Sequence, residues 1–366
     1  MASRRSSVTK KFGILTAGGD CPGLNTAIRG VCRAAQSRYG MSIVGISDGF
    51  RGIIEENVRT LQPSDFSGIL TRGGTILGAS REKPFKSEIG HSDDIIGEKV
   101  TAVKETYNRL GLDCLVVLGG NGTNTTGYRF AQEGLNVIGL PKTIDNDIVG
   151  TDQTFGFHSA LAICTEAIDR LHTTAQSHNR VIVIELMGHK AGWLALHAGV
   201  AGGGDVILIP EIPYDIKSIG RHLESRAKSG KAFSIVVVAE GALSKKEADM
   251  DKRERKKYRA ENGPSVGYRV AREIHEETGM ETRATVLGYV QRGGIPSASD
   301  RVFATSLGTA AADLLAKGEY GRMVALKEGR IDSVDLKVPA GHVRTVPKGH
   351  YMIDTAVAVG TCMGMD

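Results

Sequence analysis

Three residues that can do chemistry, Thr143, Asp145 and Asp147, fall within the stretch Pro-Lys-Thr-Ile-Asp-Asn-Asp from Pro141 to Asp147. Two carboxylates this close resist ionising together, a cost that a cation or a hydrogen-bonding substrate relieves. An extended backbone would put alternate side chains, and so all three residues, on one face. The apolar run Leu135 to Leu140 reads as a buried strand, and Pro141, unable to continue a central strand, is where the chain leaves the sheet. Such a carboxylate pair at a strand end therefore suggests chemistry on a cation or a hydrogen-bonding substrate. Taken alone, an acidic turn on a solvated loop accounts for it better.

Two glycine turns change that balance. Gly18-Gly19-Asp20-Cys21-Pro22-Gly23 leads into a helix near Asn25, and Gly119-Gly120-Asn121-Gly122-Thr123 into one near Asn124. Glycine lets backbone amides approach a ligand closely, and a helix N-terminus favours an anion. Neither turn carries the dinucleotide fingerprint or the Walker A pattern. Two anion-competent turns with a carboxylate pair, all at strand ends, suit phosphoryl transfer, which needs positioning and neutralisation of phosphate oxygens.

The elements that must position these residues alternate along the chain. Phe12 to Ala17, Ser42 to Ile46, Cys114 to Leu118, Val137 to Leu140, Val181 to Leu186, Val206 to Ile209, Ile235 to Ala239 and Ala284 to Val290 read as strands, with amphipathic helical stretches between them. The pattern gives an α/β fold of two doubly wound, mostly parallel-sheet domains with the active site in the cleft between them. The expected division is 1-156 plus about 291-343 as a donor domain, and 157-290 plus about 344-366 as a sugar-phosphate domain. Ser244 to Pro264, dense in charge, reads as a solvated insertion. The 366 residues can bury a large core. A net charge of +5, spread along the chain, permits anionic substrates and calls for no nucleic acid. The 5 cysteines show no paired or metal-type spacing, so reduced thiols in a cytoplasmic protein are expected. No apolar run is long enough for a membrane span, and the Ser-Arg-Arg-Ser-Ser start lacks the apolar core of a secretory signal.

Gly-Gly-Asp-Cys-Pro-Gly-Leu-Asn (18–25), Arg-Gly-Gly-Thr (72–75), Pro-Lys-Thr-Ile-Asp-Asn-Asp (141–147) and Glu-Thr-Arg-Ala-Thr-Val-Leu-Gly-Tyr-Val-Gln-Arg-Gly-Gly (281–294) together resemble the 6-phosphofructokinase family. The match runs in order from about Phe12 past Asp300. The resemblance implies two α/β domains and transfer of a phosphoryl group, with Mg2+, from ATP or pyrophosphate to the 1-hydroxyl of fructose 6-phosphate. It implies Asp145 as catalytic base, Asp147 as a second acidic residue beside it, and Thr143 as a contact to the transferred phosphate. Gly18, Arg81, Gly120, Gly122, Thr123 and Lys142 match donor-binding positions. Arg180, Met187, Gly188, His189, Glu240, Arg283, Tyr289 and Arg292 match sugar-phosphate positions, with Asn121 and Asp145 at the metal. Arginine suits phosphate because its planar fork binds two oxygens and stays charged. In the family Arg180 and Arg283 reach a neighbouring subunit's site, implying a homodimer or homotetramer with shared sites.

Four positions depart from the family pattern. Asn121 stands where an acidic residue helps hold magnesium, and asparagine offers only a neutral oxygen. His189 replaces an arginine, and Tyr289 a histidine. Lys142 matches pyrophosphate users, whereas Gly122 matches ATP users, because pyrophosphate users carry an aspartate there. Excluding a nucleotide takes a blocking group, which aspartate provides and lysine does not. ATP is therefore the expected donor, with pyrophosphate the alternative and a non-catalytic regulatory homologue the second.

Overall fold

Runs of β-branched and aliphatic residues set the strands, and glycines end most of the helices between them. The computed structural model describes residues 7–86 and 93–365, with residues 93–95 by their backbone only. Contacts divide the chain into two units, Met1–Ile144, Ile148–Ser159 and Arg292–Val343 in the first, and Asp145–Asp147, Ala160–Gln291 and Arg344–Asp366 in the second. The acidic turn thus groups with the second unit, although the strand leading into it belongs to the first.

The first unit holds β1 (Lys11–Thr16), β2 (Ser42–Ile46), β3 (Val58–Thr60), β4 (Cys114–Gly119), β5 (Val137–Thr143), β6 (Phe155–Gly156), β11 (Arg322–Lys327) and β12 (Arg330–Asp335). Their order is β12-β11-β5-β4-β1-β2-β3, with β6 beside β5. The interior pairs are parallel and both edge strands antiparallel. From β1 the chain moves one way to β2 and the other way to β4. The sheet therefore has its switch point between β1 and β4, where open α/β sheets bind ligands at the strand C-termini. Helices α1 (Leu24–Tyr39), α2 (Gly49–Ile54), α3 (Asp93–Arg109), α4 (Asn121–Gln132) and α11 (Ala298–Lys317) pack around this sheet, and α5 (Phe157–His178) runs from the first unit into the second. A core of Leu15, Val44, Val117, Phe130 and Val137 lies under them. At Gly30 an added methyl carbon would stand 3.0 Å from the Thr305 carbonyl, and at Gly308 one would stand 2.7 Å from the Val31 amide. Those two glycines let α1 and α11 meet backbone to backbone.

The second unit holds β7 (Val181–Leu186), β8 (Val206–Leu208), β9 (Ser234–Ala239) and β10 (Thr282–Val286) in the order β10-β7-β9-β8. All of these pairs are parallel. Its helices are α6 (Trp193–Ala201), α7 (Ile216–Lys228), α8 (Lys245–Ala248), α9 (Lys252–Asn262), α10 (Val266–Thr278) and α12 (Tyr351–Ala358). Val183, Val236, Val270 and Ile274 form part of its core. The charged stretch 244–264 is not simply a solvated insertion. It forms α8 and α9, each with a capping box, and Glu247, 1% exposed, binds Arg259 at 2.9 Å and Arg269 at 3.1 Å. Burial of an ion pair is costly unless its hydrogen bonds are met, and here the cap and two guanidiniums meet them.

Two strand ends differ most from the sequence expectation. β5 does not stop at Pro141 but runs on to Thr143, pairing Gly119 with Pro141, then Lys142 with Phe155 and Thr143 with Gly156 of β6. Proline removes one donor from the ladder, and at the C-terminal rim the ladder continues without it. β10 ends at Val286 rather than Val290, because Gly288 at φ 54° turns the chain into a 3-10 turn, Gly288–Arg292.

Candidate active site

Both glycine turns sit at the switch point of the first sheet, after β1 and β4. Gly18 has φ 82°, and a methyl carbon there would stand 3.8 Å from Thr123 Oγ1 and 3.9 Å from Lys142 Nζ. Three donor candidates, from three neighbouring strand ends, thus face one small space. Lys142 is 4% exposed, and its ammonium is turned onto the Gly19 carbonyl. Helices α1 and α4 begin at Gly23 and Gly120, neither with a side-chain cap nor an acidic first turn. The same holds for α2 and α6, whereas α7, α8, α9, α10 and α11 are capped by Asp215, Ser244, Asp251, Ser265 and Ser297. The two helices at the switch point leave their N-terminal field to an anion.

Other motifs are built onto this turn. Asn25, fully buried, donates to the Arg72 and Gly73 carbonyls at 3.1 Å each and accepts from Ile76 N–H at 2.7 Å. The segment then reaches Ser80, whose carbonyl accepts from Gly18 N–H at 2.9 Å. Arg81 follows at once, exposed, and lines a hollow of about 430 Å³ with Arg51, Lys83, Lys86 and Lys99. A methyl carbon at Gly73 would stand 2.2 Å from the Gly294 carbonyl, so the turns at 72–75 and 291–294 meet backbone to backbone. Arg292, expected with the sugar-phosphate arginines, packs over Gly19, where a methyl carbon would stand 2.6 Å from its Nη1. Burial pushes the Cys21 thiol in this turn up to about 12, so it stays protonated.

Asp300 anchors the frame, and nothing in the sequence pattern had singled it out. Fully buried, it accepts from Gly156 N–H at 3.0 Å, Ser159 N–H at 2.7 Å and Ser159 Oγ at 2.6 Å, capping α5. Burial pushes its carboxyl up, against the downward pull of the Ser159 hydroxyl and the two amides. Asp300→Asn would aim an amide donor at these donors. We expect a loss of about 2 kcal/mol or more, read as a lower unfolding midpoint in urea. An unchanged midpoint would contradict this role.

The acidic turn itself keeps the expected alternation in burial. Thr143, Asp145 and Asp147 are half-buried, whereas Ile144, Asn146 and Ile148 are buried. Its backbone is not an extended strand, because Asn146 has φ 51°. Thr143 is held by its carbonyl, which accepts from Thr154 Oγ1 at 2.7 Å.

In the second unit, Met187, Gly188 and His189 follow β7, and Glu240 follows the adjacent β9. Gly241 N–H donates to the Gly188 carbonyl at 3.2 Å, and a methyl carbon at Gly241 would stand 2.2 Å from the His189 carbonyl. Glycine at 241 is what lets the two turns meet. Gln291, fully buried, accepts from Met187 N–H at 3.0 Å and fixes this rim. His189 and Tyr289 are exposed. Arg180 and Arg283 lie at the other end of the sheet, sharing Glu281 at 2.9 Å and 2.7 Å. β7 separates Arg180 from Met187 by its whole length, roughly 20 Å. The two arginines thus stand at the opposite end of β7 from the Met187–Glu240 rim.

The family model for phosphofructokinase matches residues 11–315. The chain belongs to the phosphofructokinase family. It is 66% identical to an ATP-dependent 6-phosphofructokinase of Spirochaeta thermophila, over 97% of this chain and 98% of that protein. It is 50% identical to ATP-dependent 6-phosphofructokinase 3 of Bacteroides thetaiotaomicron, over 97% of this chain and all of that one. Among solved structures, phosphofructokinase of Pichia pastoris in the T-state superposes with TM-score 0.79 at 30% identity, over 98% of this chain and 37% of that longer one. A pyrophosphate-dependent phosphofructokinase of Marinobacter aquaeolei shares the fold, with TM-score 0.78 at 21% identity over 97% of this chain and 88% of its own.

Magnesium fits the residues present. No group of three or more His, Cys, Asp or Glu side chains gathers among the described residues, so there is no protein cage of that kind. Magnesium does not ask for one, since it keeps waters and takes substrate phosphates with one or two side chains. No helix among the described residues is long and apolar enough to cross a membrane.

Proposed function

We propose that this chain is an ATP-dependent 6-phosphofructokinase that transfers the γ-phosphoryl of ATP to the 1-hydroxyl of fructose 6-phosphate, giving fructose 1,6-bisphosphate and ADP. The observation that carries the reading is the space faced by Gly18, Thr123 and Lys142 at the switch point, where α1 and α4 follow β1 and β4 without side-chain caps. The near-full-length identity to ATP-dependent relatives supports the same donor.

Asp145 takes the proton of the 1-hydroxyl as its oxygen attacks phosphorus, and Thr143 contacts the transferred phosphate. Gly18, Gly120, Gly122 and Thr123 bind donor phosphates through backbone and hydroxyl, and Arg81 adds charge. Asn121 and Asp145 would hold Mg2+, which neutralises charge on the phosphate oxygens when bound. Met187, Gly188, His189 and Glu240 line the sugar, with Tyr289 and Arg292 as further contacts. An assay of the purified chain with fructose 6-phosphate, Mg2+ and each donor in turn tests the reading. Turnover with ATP is expected, and none with either donor would refute it.

Arg180 and Arg283 serve a neighbouring copy, in a homodimer or homotetramer with shared sites. Their separation from the Met187–Glu240 rim supports this. Asp145→Asn and Arg283→Ala chains, each nearly inactive alone, should regain part of the activity when dissociated and reassembled together. Failure of such hybrids to exceed the separate variants would count against sharing.

A further inference from the structure

Arg344 meets the acidic turn from 198 residues along the chain. Its N–H donates to the Asp147 carbonyl at 2.8 Å, and its Nη1 donates to the Asn146 carbonyl at 3.2 Å. These carbonyls lie in the turn that carries both carboxylates. Asn146 is 5% exposed and occupies the left-handed region at φ 51°, a conformation that asparagine tolerates but that its surroundings must fix.

The guanidinium is itself held. Its carbon lies 4.4 Å from the centroid of the Trp193 ring, and Trp193 Nε1 donates to the Arg344 carbonyl at 2.9 Å. His350 meets the same indole edge-on, with centroids 5.0 Å apart at 87°. Glu211 ties the two segments together. It accepts from Gly192 N–H, just before Trp193, at 3.0 Å, and from Val346 N–H, just after Arg344, at 2.8 Å. All of these residues belong to the second unit, as do Asp145 to Asp147. Burial, with the Arg344 charge behind it, pushes the His350 imidazole down, so a neutral ring packs there.

We infer that Arg344, seated on Trp193, is a positioning residue that fixes the Asp145–Asp147 turn for proton abstraction. The inference rests on the phosphofructokinase reading above. Its hydrogen bonds to the Asn146 and Asp147 carbonyls hold the main chain of the turn, and through it the carboxylates. A misplacement of about 1 Å at a reacting group can cost roughly a hundredfold in rate.

The test uses the full chain with fructose 6-phosphate, ATP and Mg2+. Arg344→Ala should lower kcat about a hundredfold while KM for both substrates stays within about threefold. Free guanidinium ion at tens of millimolar should restore a large part of the lost turnover. Trp193 is the single tryptophan, so its emission should shift to the red in this variant as water reaches the indole. Arg344→Lys keeps the charge without the planar fork and should recover little. Trp193→Phe keeps a ring face but loses the Nε1–H, and should lower kcat with KM unchanged.

Unchanged kcat in Arg344→Ala would overturn the inference. So would a rise in KM at constant kcat, or a loss that guanidinium does not rescue. If that variant fails to fold, wild-type kcat in both Arg344→Lys and Trp193→Phe would overturn it instead. Absence of phosphofructokinase turnover in the wild type is a separate outcome, and refutes the reaction itself.

Discussion

Asp145→Asn should lose between a hundred- and ten-thousand-fold in turnover, the range that a positioned general base contributes. The substitution keeps the shape and removes only the capacity to accept a proton. The base matters most as the hydroxyl proton moves, so fructose 6-phosphate affinity should stay close to that of the wild type. The site favours a clean outcome. Asp145 is half-buried on a turn whose neighbours Ile144 and Asn146 are buried, and whose main chain is bound by Arg344. Asparagine at 145 should therefore leave the turn in place. Turnover in a coupled assay and sugar-phosphate affinity by calorimetry read the two quantities separately. Near-normal turnover would remove Asp145 from the role of base.

Much of this was legible in the sequence where a single physical signal dominates. β2 and β7 match the expected runs to the residue, because each is a short apolar, β-branched stretch. The two glycine turns at the switch point were legible from glycine clusters at strand ends. α11 was not, because its alanine- and leucine-rich surface carries no clear amphipathic stripe and packs closely on α1. The charged stretch around Glu247 read as solvated, because its buried pairing depends on Arg269, beyond the stretch itself.

The site divides in the same way. The carboxylate pair and glycine turns announce chemistry by residue type and spacing. Arginines do not, and only the family resemblance singled out Arg180 and Arg283. The residues that hold the site were given no role by the sequence, although Gln291 stands within the quoted 281–294 motif. Asp300 meets Ser159 at a separation of 141 residues, Gln291 meets Met187 at 104, and Arg344 meets Asn146 at 198. Such contacts have no local period, so they appear only when the chain is folded.

Gly122→Asp should cut ATP use roughly a thousandfold while sparing pyrophosphate use. The family resemblance puts an aspartate at this place in pyrophosphate users, where its carboxylate would lie against the α-phosphate of ATP. Two unit charges about 4 Å apart repel by about 4 kcal/mol at an effective dielectric of 20, which is roughly three powers of ten in rate. Sterics do not confuse the result. Gly122 is exposed, its φ is not in the positive region, and a methyl carbon there meets nothing within 4 Å. The aspartate should therefore be tolerated by the fold and act through its charge. Lys142 is the position that argues for pyrophosphate, but its ammonium is engaged with the Gly19 carbonyl. It braces the Gly18–Gly19 turn, and on the proposed reading a lysine placed so attracts phosphate of either donor without excluding ATP. The measurement is kcat/KM with each donor, in wild type and variant. ATP should be preferred in the wild type, with that preference reduced or reversed by the aspartate. A wild type that turns over pyrophosphate and ignores ATP would mean that Lys142, not Gly122, sets the donor.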